Sequence, residues 1–258
     1  MVGSIVSIIE PYPVPLRLTL WNRRLVANGW LALLTTAACV LFVVLGFWQW
    51  HRGEYRARLW EQFSQDSAAE PQDVSGQTLS QPPRFTRLRV NGQLDPQHQF
   101  LLDNMTRNGR SGYEVLTPLL LADGSTLLVN RGWLPFSGYR DRLPDVGFDA
   151  AATQTLTGRI EQLPTPGLAS GRAPPAISGD WPRVTSYPTV AELGAALGRD
   201  VGPRMLLLDA GSGPGYLREW QAPGISPDRN FSYAIQWWAF AAIALGLFVF
   251  LNLETRPR

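Results

Sequence analysis

Two apolar runs, about residues 31–50 and 233–251, lie near the two ends of the chain and bracket a much longer polar stretch. Each holds about 20 residues without an acidic or basic side chain. At ~1.5 Å per helical residue, such a run spans the ~30 Å hydrocarbon core of a bilayer. The pattern predicts a hairpin of two transmembrane α-helices whose domain-side ends share one membrane face. The first run is longer than a secretory h-region and ends in Trp48-Gln49-Trp50, not in small residues, so we read it as a retained anchor.

Between the runs the period changes. Helical spacing of Leu59, Trp60 and Phe63 carries the first helix beyond the bilayer through about residue 65, and 66–83 reads as a Ser, Gln, Gly and Pro rich linker. From Arg84 the alternation is that of strands: 85–90, with a turn at Asn91-Gly92, then 99–104, with a turn at Asn108-Gly109. Residues 113–121 and 126–130 flank Asp123-Gly124, a hairpin signal. Further strands are predicted at 155–162 and 204–209, a short helix at 190–197, and a long Pro and Gly rich loop at 164–182. The fold class is therefore a membrane hairpin bracketing a mostly antiparallel β (α+β) soluble domain, a small barrel or curled sheet. Its divisions are a 1–24 cytoplasmic tail containing Pro11, Pro13 and Pro15, a 25–52 span, a 53–229 domain, a 230–252 span and a 253–258 tail.

Composition narrows the chemistry. All 23 basic residues are arginine, which excludes lysine nucleophiles, Schiff bases and phosphate-loop lysines. From Gly53 to Arg229 there are 17 Arg against 19 Asp plus Glu, so the domain is near neutral and no nucleic-acid partner is expected. Cys39 is the only cysteine and sits mid-span, where it reads as a small packing residue. His51 and His98 are too few for a zinc site. No nucleophile, base and oxyanion arrangement emerges, and the chain is not expected to be an enzyme. Arginines flank both ends of the first span; Arg256 and Arg258 tilt the count towards cytoplasmic termini.

The candidate chemistry gathers at the domain-side ends of the spans. Trp48, Arg52 and Tyr55 share one helix face, as do Tyr233 and Trp237, while Gln49 and Gln236 are amides at a depth where partners are needed. An aromatic belt at headgroup level explains the rings alone. A flat, apolar ligand with anionic tails, such as a porphyrin, would also suit them, with Arg52 for a propionate and His51 as the one nearby imidazole. In the domain, Arg131-Gly132-Trp133-Leu134-Pro135 reads either as a strand end with Trp133 in the core, or as a partner contact through Arg131 to a carboxylate of another subunit.

Four blocks carry a resemblance. Leu45-Gly46-Phe47-Trp48-Gln49 with Arg52, Gly109 with Gly112-Tyr113 through Thr117-Pro118, Val129-Asn130-Arg131-Gly132-Trp133-Leu134-Pro135, and Tyr233-Ala234-Ile235-Gln236-Trp237 resemble, in order, the surfeit locus protein 1 family. The resemblance implies a cytochrome c oxidase assembly factor of the bacterial inner membrane, multi-pass, with a periplasmic domain. Its partners would be oxidase subunit I, other oxidase assembly factors and membrane lipid. Its task would be delivery or insertion of haem a, with Trp48, Gln49, Arg52, Tyr233, Trp237 and His51 as cofactor contacts, and Arg131 and Trp133 facing a partner. Members commonly carry a histidine three residues before the tyrosine of the last block; here it is Asn230. A scaffold that binds subunit I without haem is the alternative.

Overall fold

The structure, a computed structural model, describes residues 16–20, 23–74, 82–149, 152–167 and 171–255. The three tail prolines, residues 75–81 of the predicted linker, Arg256 and Arg258 lie outside the described residues. The chain divides into two units, residues 1–60 with 223–258, and residues 61–222.

The first unit is built on two long helices. Strands β1 (Leu16–Leu20) and β2 (Arg23–Ala27) precede α1 (Gly29–Ala68), where Asn28 Oδ1 accepts the Trp30 N–H at 3.0 Å and so caps the helix. With no proline between positions 16 and 70, α1 runs on unbroken past the apolar run. Both long helices are apolar enough to cross a membrane, and their apolar windows are almost wholly unburied, as lipid-facing surfaces are. This is a membrane protein.

In the second unit, β3 (Gln72–Asp73) lies beside β4 (Arg87–Leu94), followed by β5 (Phe100–Arg107), β6 (Arg110–Leu121), β7 (Thr126–Pro135), β8 (Gln154–Glu161), β9 (Arg183–Thr185), α2 (Val190–Leu197) and β10 (Met205–Leu208). The sheet runs β4-β8-β10-β7-β6, and β4 also pairs with β6, which closes five strands into a barrel. Alternate residues of those strands, among them Leu88, Val90, Leu119, Val129, Leu156 and Leu206, fill its interior. Extra strands β5 and β9 extend the sheet beyond β6.

The turn expected at Asn91-Gly92 is not one. Gly92 pairs with Gln154 of β8 and with Leu121 of β6, so the strand continues and changes partner there. A Cβ at Gly92 would lie 2.6 Å from the Leu120 carbonyl oxygen, so glycine serves this corner by allowing close backbone approach. The Asn108-Gly109 turn has φ of 50° and 75°, as a tight hairpin requires. Helix α2 is held by a reciprocal capping box between Thr189 and Glu192, and stops at Gly198 in the left-handed region.

The chain re-enters the first unit through α3 (Pro227–Leu251), three residues earlier than the 230–252 span, because Ser226 and Pro227 form a natural helix start. Strand β11 (Leu253–Thr255) then pairs with β2. The distal ends of both spans are thus tied by a three-stranded sheet where only tails were expected.

Candidate functional site

Along the α1–α3 seam, small residues recur every seven positions: Gly46 and Gly53 on α1, Ala234 and Ala241 on α3, all buried. Phe231 and Trp238 share that spacing and fill the glycine seats. A Cβ at Gly46 would lie 2.2 Å from Trp238 Nε1, and one at Gly53 would lie 2.7 Å from the Phe231 ring. Trp50 packs against both aromatics, with centroids 4.8 Å and 5.7 Å away. Within a bilayer, where apolar burial gives no net driving force, close approach at small residues is the principal source of helix association. Cys39 donates weakly to the Ala241 carbonyl at 3.6 Å, which places the lone thiol in the same seam.

Among the described residues, one hydrogen bond between two side chains crosses the seam. Asn230 Nδ2 donates to Gln49 Oε1 at 2.8 Å, partly buried. Asn230 therefore serves as a clasp between the helices. Asn230→Leu and Gln49→Leu, singly and combined, are expected to show a coupling of about 0.6–1.7 kcal/mol in the unfolding of the hairpin in detergent. Additive effects would show that the amides do not act as a pair.

Helical geometry sorts the other predicted residues. At about 100° per residue, Trp48 and Arg52 fall on one side of Gln49 and Trp50 on the other. On α3, Tyr233 and Trp237 fall on the Asn230 side, away from Phe231 and Trp238. Since Trp50, Phe231 and Trp238 form one edge of the seam, Trp48, Arg52, Tyr233 and Trp237 belong to the opposite edge. There Arg52 lies over the Trp48 ring at 5.6 Å and Trp237 stacks on Phe42 at 5.6 Å. Trp48 and Tyr233 remain 54% and 42% exposed. His51 is turned away from this edge, with Nδ1 3.1 Å from Glu54 Oε2, and the same carboxylate accepts Trp50 Nε1–H.

The blocks in the second unit are interior. Arg131 is 1% exposed; its Nη2 donates to the Val146 carbonyl at 3.0 Å and the Tyr216 hydroxyl at 3.3 Å, and its guanidinium lies over the Phe148 ring at 4.2 Å. Burial lowers its pKa, partly offset by Tyr216. Trp133 is buried and donates to the Met105 carbonyl at 2.8 Å. Trp133 thus fills the core, as one of the two readings of this motif had it, and carbonyl, hydroxyl and ring acceptors surround the Arg131 cation.

The motif around them is a bulge. The β6–β7 register shifts between Glu114 and Leu116, Asn130 Oδ1 accepts the Gly132 N–H at 3.1 Å, and Gly132 has φ +116°. The segment at Tyr216 and Leu217 crosses so close that a Cβ on Gly132 would meet the Leu217 carbonyl at 2.8 Å. Asn130 Nδ2 also donates to Glu114 Oε2 at 2.7 Å.

Burial raises the Glu114 pKa above its usual value, with the Asn130 bond and Arg107 opposing. A carboxyl with a raised folded pKa favours the fold while protonated. Its contribution is complete below the unfolded value near 4.5 and is lost as pH rises through the folded pKa. Glu114→Gln should flatten that part of the stability profile, read by thermal unfolding from pH 4 upwards; an unchanged slope would assign it to another group.

These features can be set beside known proteins. The SURF1 family model matches residues 36–242, a stretch that takes in both the hairpin seam and the bulge. The chain belongs to the SURF1 family. It is 29% identical over 246 residues to an uncharacterized SURF1-like protein of Mycobacterium bovis and to one of Mycobacterium tuberculosis, covering 91% of this chain and 88% of each relative. A SURF1-like protein of Dictyostelium discoideum is 29% identical over 109 residues, 37% of this chain and 40% of that one. Within this SURF1 protein, sequence reasoning missed Gly53, Trp50, Phe231 and Trp238. The seven-residue spacing of Gly46 with Gly53 and of Phe231 with Trp238 was the available signal.

Proposed function

We propose that this SURF1 protein is an assembly factor for cytochrome c oxidase in a bacterial inner membrane, its sheet domain periplasmic. Its hairpin assists delivery or insertion of haem a into subunit I, alongside other oxidase assembly factors. The observation that carries this reading is the edge of the seam bearing Trp48, Arg52, Tyr233 and Trp237. There a cation and exposed rings stand at the end of a membrane span.

Haem a is cargo in this reading, and the residues present fit its rim and not its iron. Arg52 suits a propionate and the rings suit a flat apolar macrocycle. The amide of Asn230 is engaged with Gln49, and His51 is paired with Glu54. The hairpin's own residues therefore bind and orient without ligating metal. The same clasp favours a second reading, a scaffold that holds subunit I through the helices and never touches haem.

Oxidase purified from a strain lacking this protein should be depleted in haem a3; full activity with normal haem a3 and copper would overturn the assembly role. Spectra of the detergent-purified protein from cells making haem a separate the two readings. A Soret band weakened by Trp48→Ala or Arg52→Ala supports cargo binding, whereas no band with altered subunit I capture supports the scaffold.

A further inference from the structure

The second unit carries a concavity of about 450 Å³ between the chain following β8, the start of α2, and Pro203-Arg204 ahead of β10. That volume lies within the range of small-ligand pockets. Its walls include Pro164, Pro166, Pro188 and Pro203, which offer rigid C–H surface and no backbone N–H. Leu163 adds further apolar lining.

Two cations line it, and they are not equivalent. Arg172 is committed: its Nη2 donates to both oxygens of Glu192 at 2.7 Å, and its Nε donates to the Tyr187 carbonyl at 3.2 Å. Arg204 makes no hydrogen bond or ion pair among the described residues, and its Nη1 is enclosed without an acceptor. The enclosed Nη1 is closed to the cavity as well as to water, so the rest of the Arg204 guanidinium is what a ligand there can meet. At the α2 N-terminus the capping box satisfies the N–H groups of Thr189 and Glu192, and those of Val190 and Ala191 have no helical partner.

We propose that this cavity binds a small organic oxyanion, a carboxylate or phosphate monoester on a flat apolar body, with Arg204 as its ion partner and the prolines as its walls. Charge-assisted bonding to Arg204 supplies orientation, and the proline surfaces supply shape. The site is independent of the hairpin and of any cargo it handles.

Calorimetric titration of the full-length protein in detergent with benzoate, phenyl phosphate and neutral benzamide tests this. We expect at least one of the two anions to bind about tenfold more tightly than benzamide, and whichever does names the oxyanion. Arg204→Gln should abolish the preference and Arg204→Lys should retain part of it. Equal binding of all three probes, or an Arg204→Gln protein that keeps the preference, overturns the proposal. Should Arg204→Gln fail to fold, Thr165→Trp on the exposed rim decides the matter: it must weaken the preferred anion by about tenfold or more, and unchanged binding overturns the site.

Discussion

Gly112→Val is expected to cost the barrel unit about 3–5 kcal/mol and so to remove much of the ~5–15 kcal/mol that holds an ordinary domain folded. A Cβ at Gly112 would lie 2.3 Å from the Leu134 carbonyl oxygen and 2.4 Å from the Trp133 indole. One neighbour is backbone of the paired strand, the other a ring fixed by its bond to Met105. Neither can give way without opening the β6–β7 pair, which includes the bulge that holds Arg131. At about 2–4 °C per kcal/mol for a unit of this size, the midpoint of thermal unfolding should fall by about 10 °C. Gly171→Val, where the added carbon would meet nothing within 4 Å, is the matched control and should leave the midpoint unchanged. Equal midpoints for the two variants would refute the packing account.

Gly46→Val is expected to open the hairpin. The new Cβ would fall within the Trp238 indole, so the ring must leave its seat, taking with it its contacts to Phe47 and Trp50. Overpacking of this kind costs about 1–3 kcal/mol, and in a bilayer no apolar burial offsets it. Because Gln49 lies less than a turn away, the Asn230 bond should be lost together with the seat. Near-ultraviolet circular dichroism in detergent should report release of the tryptophans, and under the proposed function oxidase assembly should fall. Gly53→Val, against Phe231, should behave alike, whereas Gly246→Val, facing open space, should be silent in both measurements. Loss of the signal with Gly246→Val as well would point to helix disruption in place of a lost seat.

Much of the second unit was legible because its determinants are local. The Asp123-Gly124 turn between alternating runs became the β6–β7 hairpin, and the Val190–Leu197 helix was found at its predicted bounds. Asn91-Gly92 misled for a physical reason: the dipeptide that suits a tight turn also suits a strand corner, and only closure of the barrel distinguishes them. The setting of Arg131 is likewise not legible in its neighbours along the chain. An arginine after a strand reads as surface chemistry unless one knows that Tyr216, 85 positions along the chain, and Phe148 close over it.

By itself the sequence determined that two spans bracket a mostly antiparallel domain, since span length and strand alternation depend only on near neighbours along the chain. It also placed the aromatic, amide and arginine residues at the ends of those spans. Tertiary structure decided which of them meet. Gln49 and Asn230 lie 181 positions apart, and their bond depends on the seating of Trp238 and Phe231 on glycines of the facing helix. That seating sets the register of the hairpin and leaves Trp48, Arg52, Tyr233 and Trp237 on one edge. Such a register is a property of two packed surfaces, and no periodicity within either helix specifies it alone.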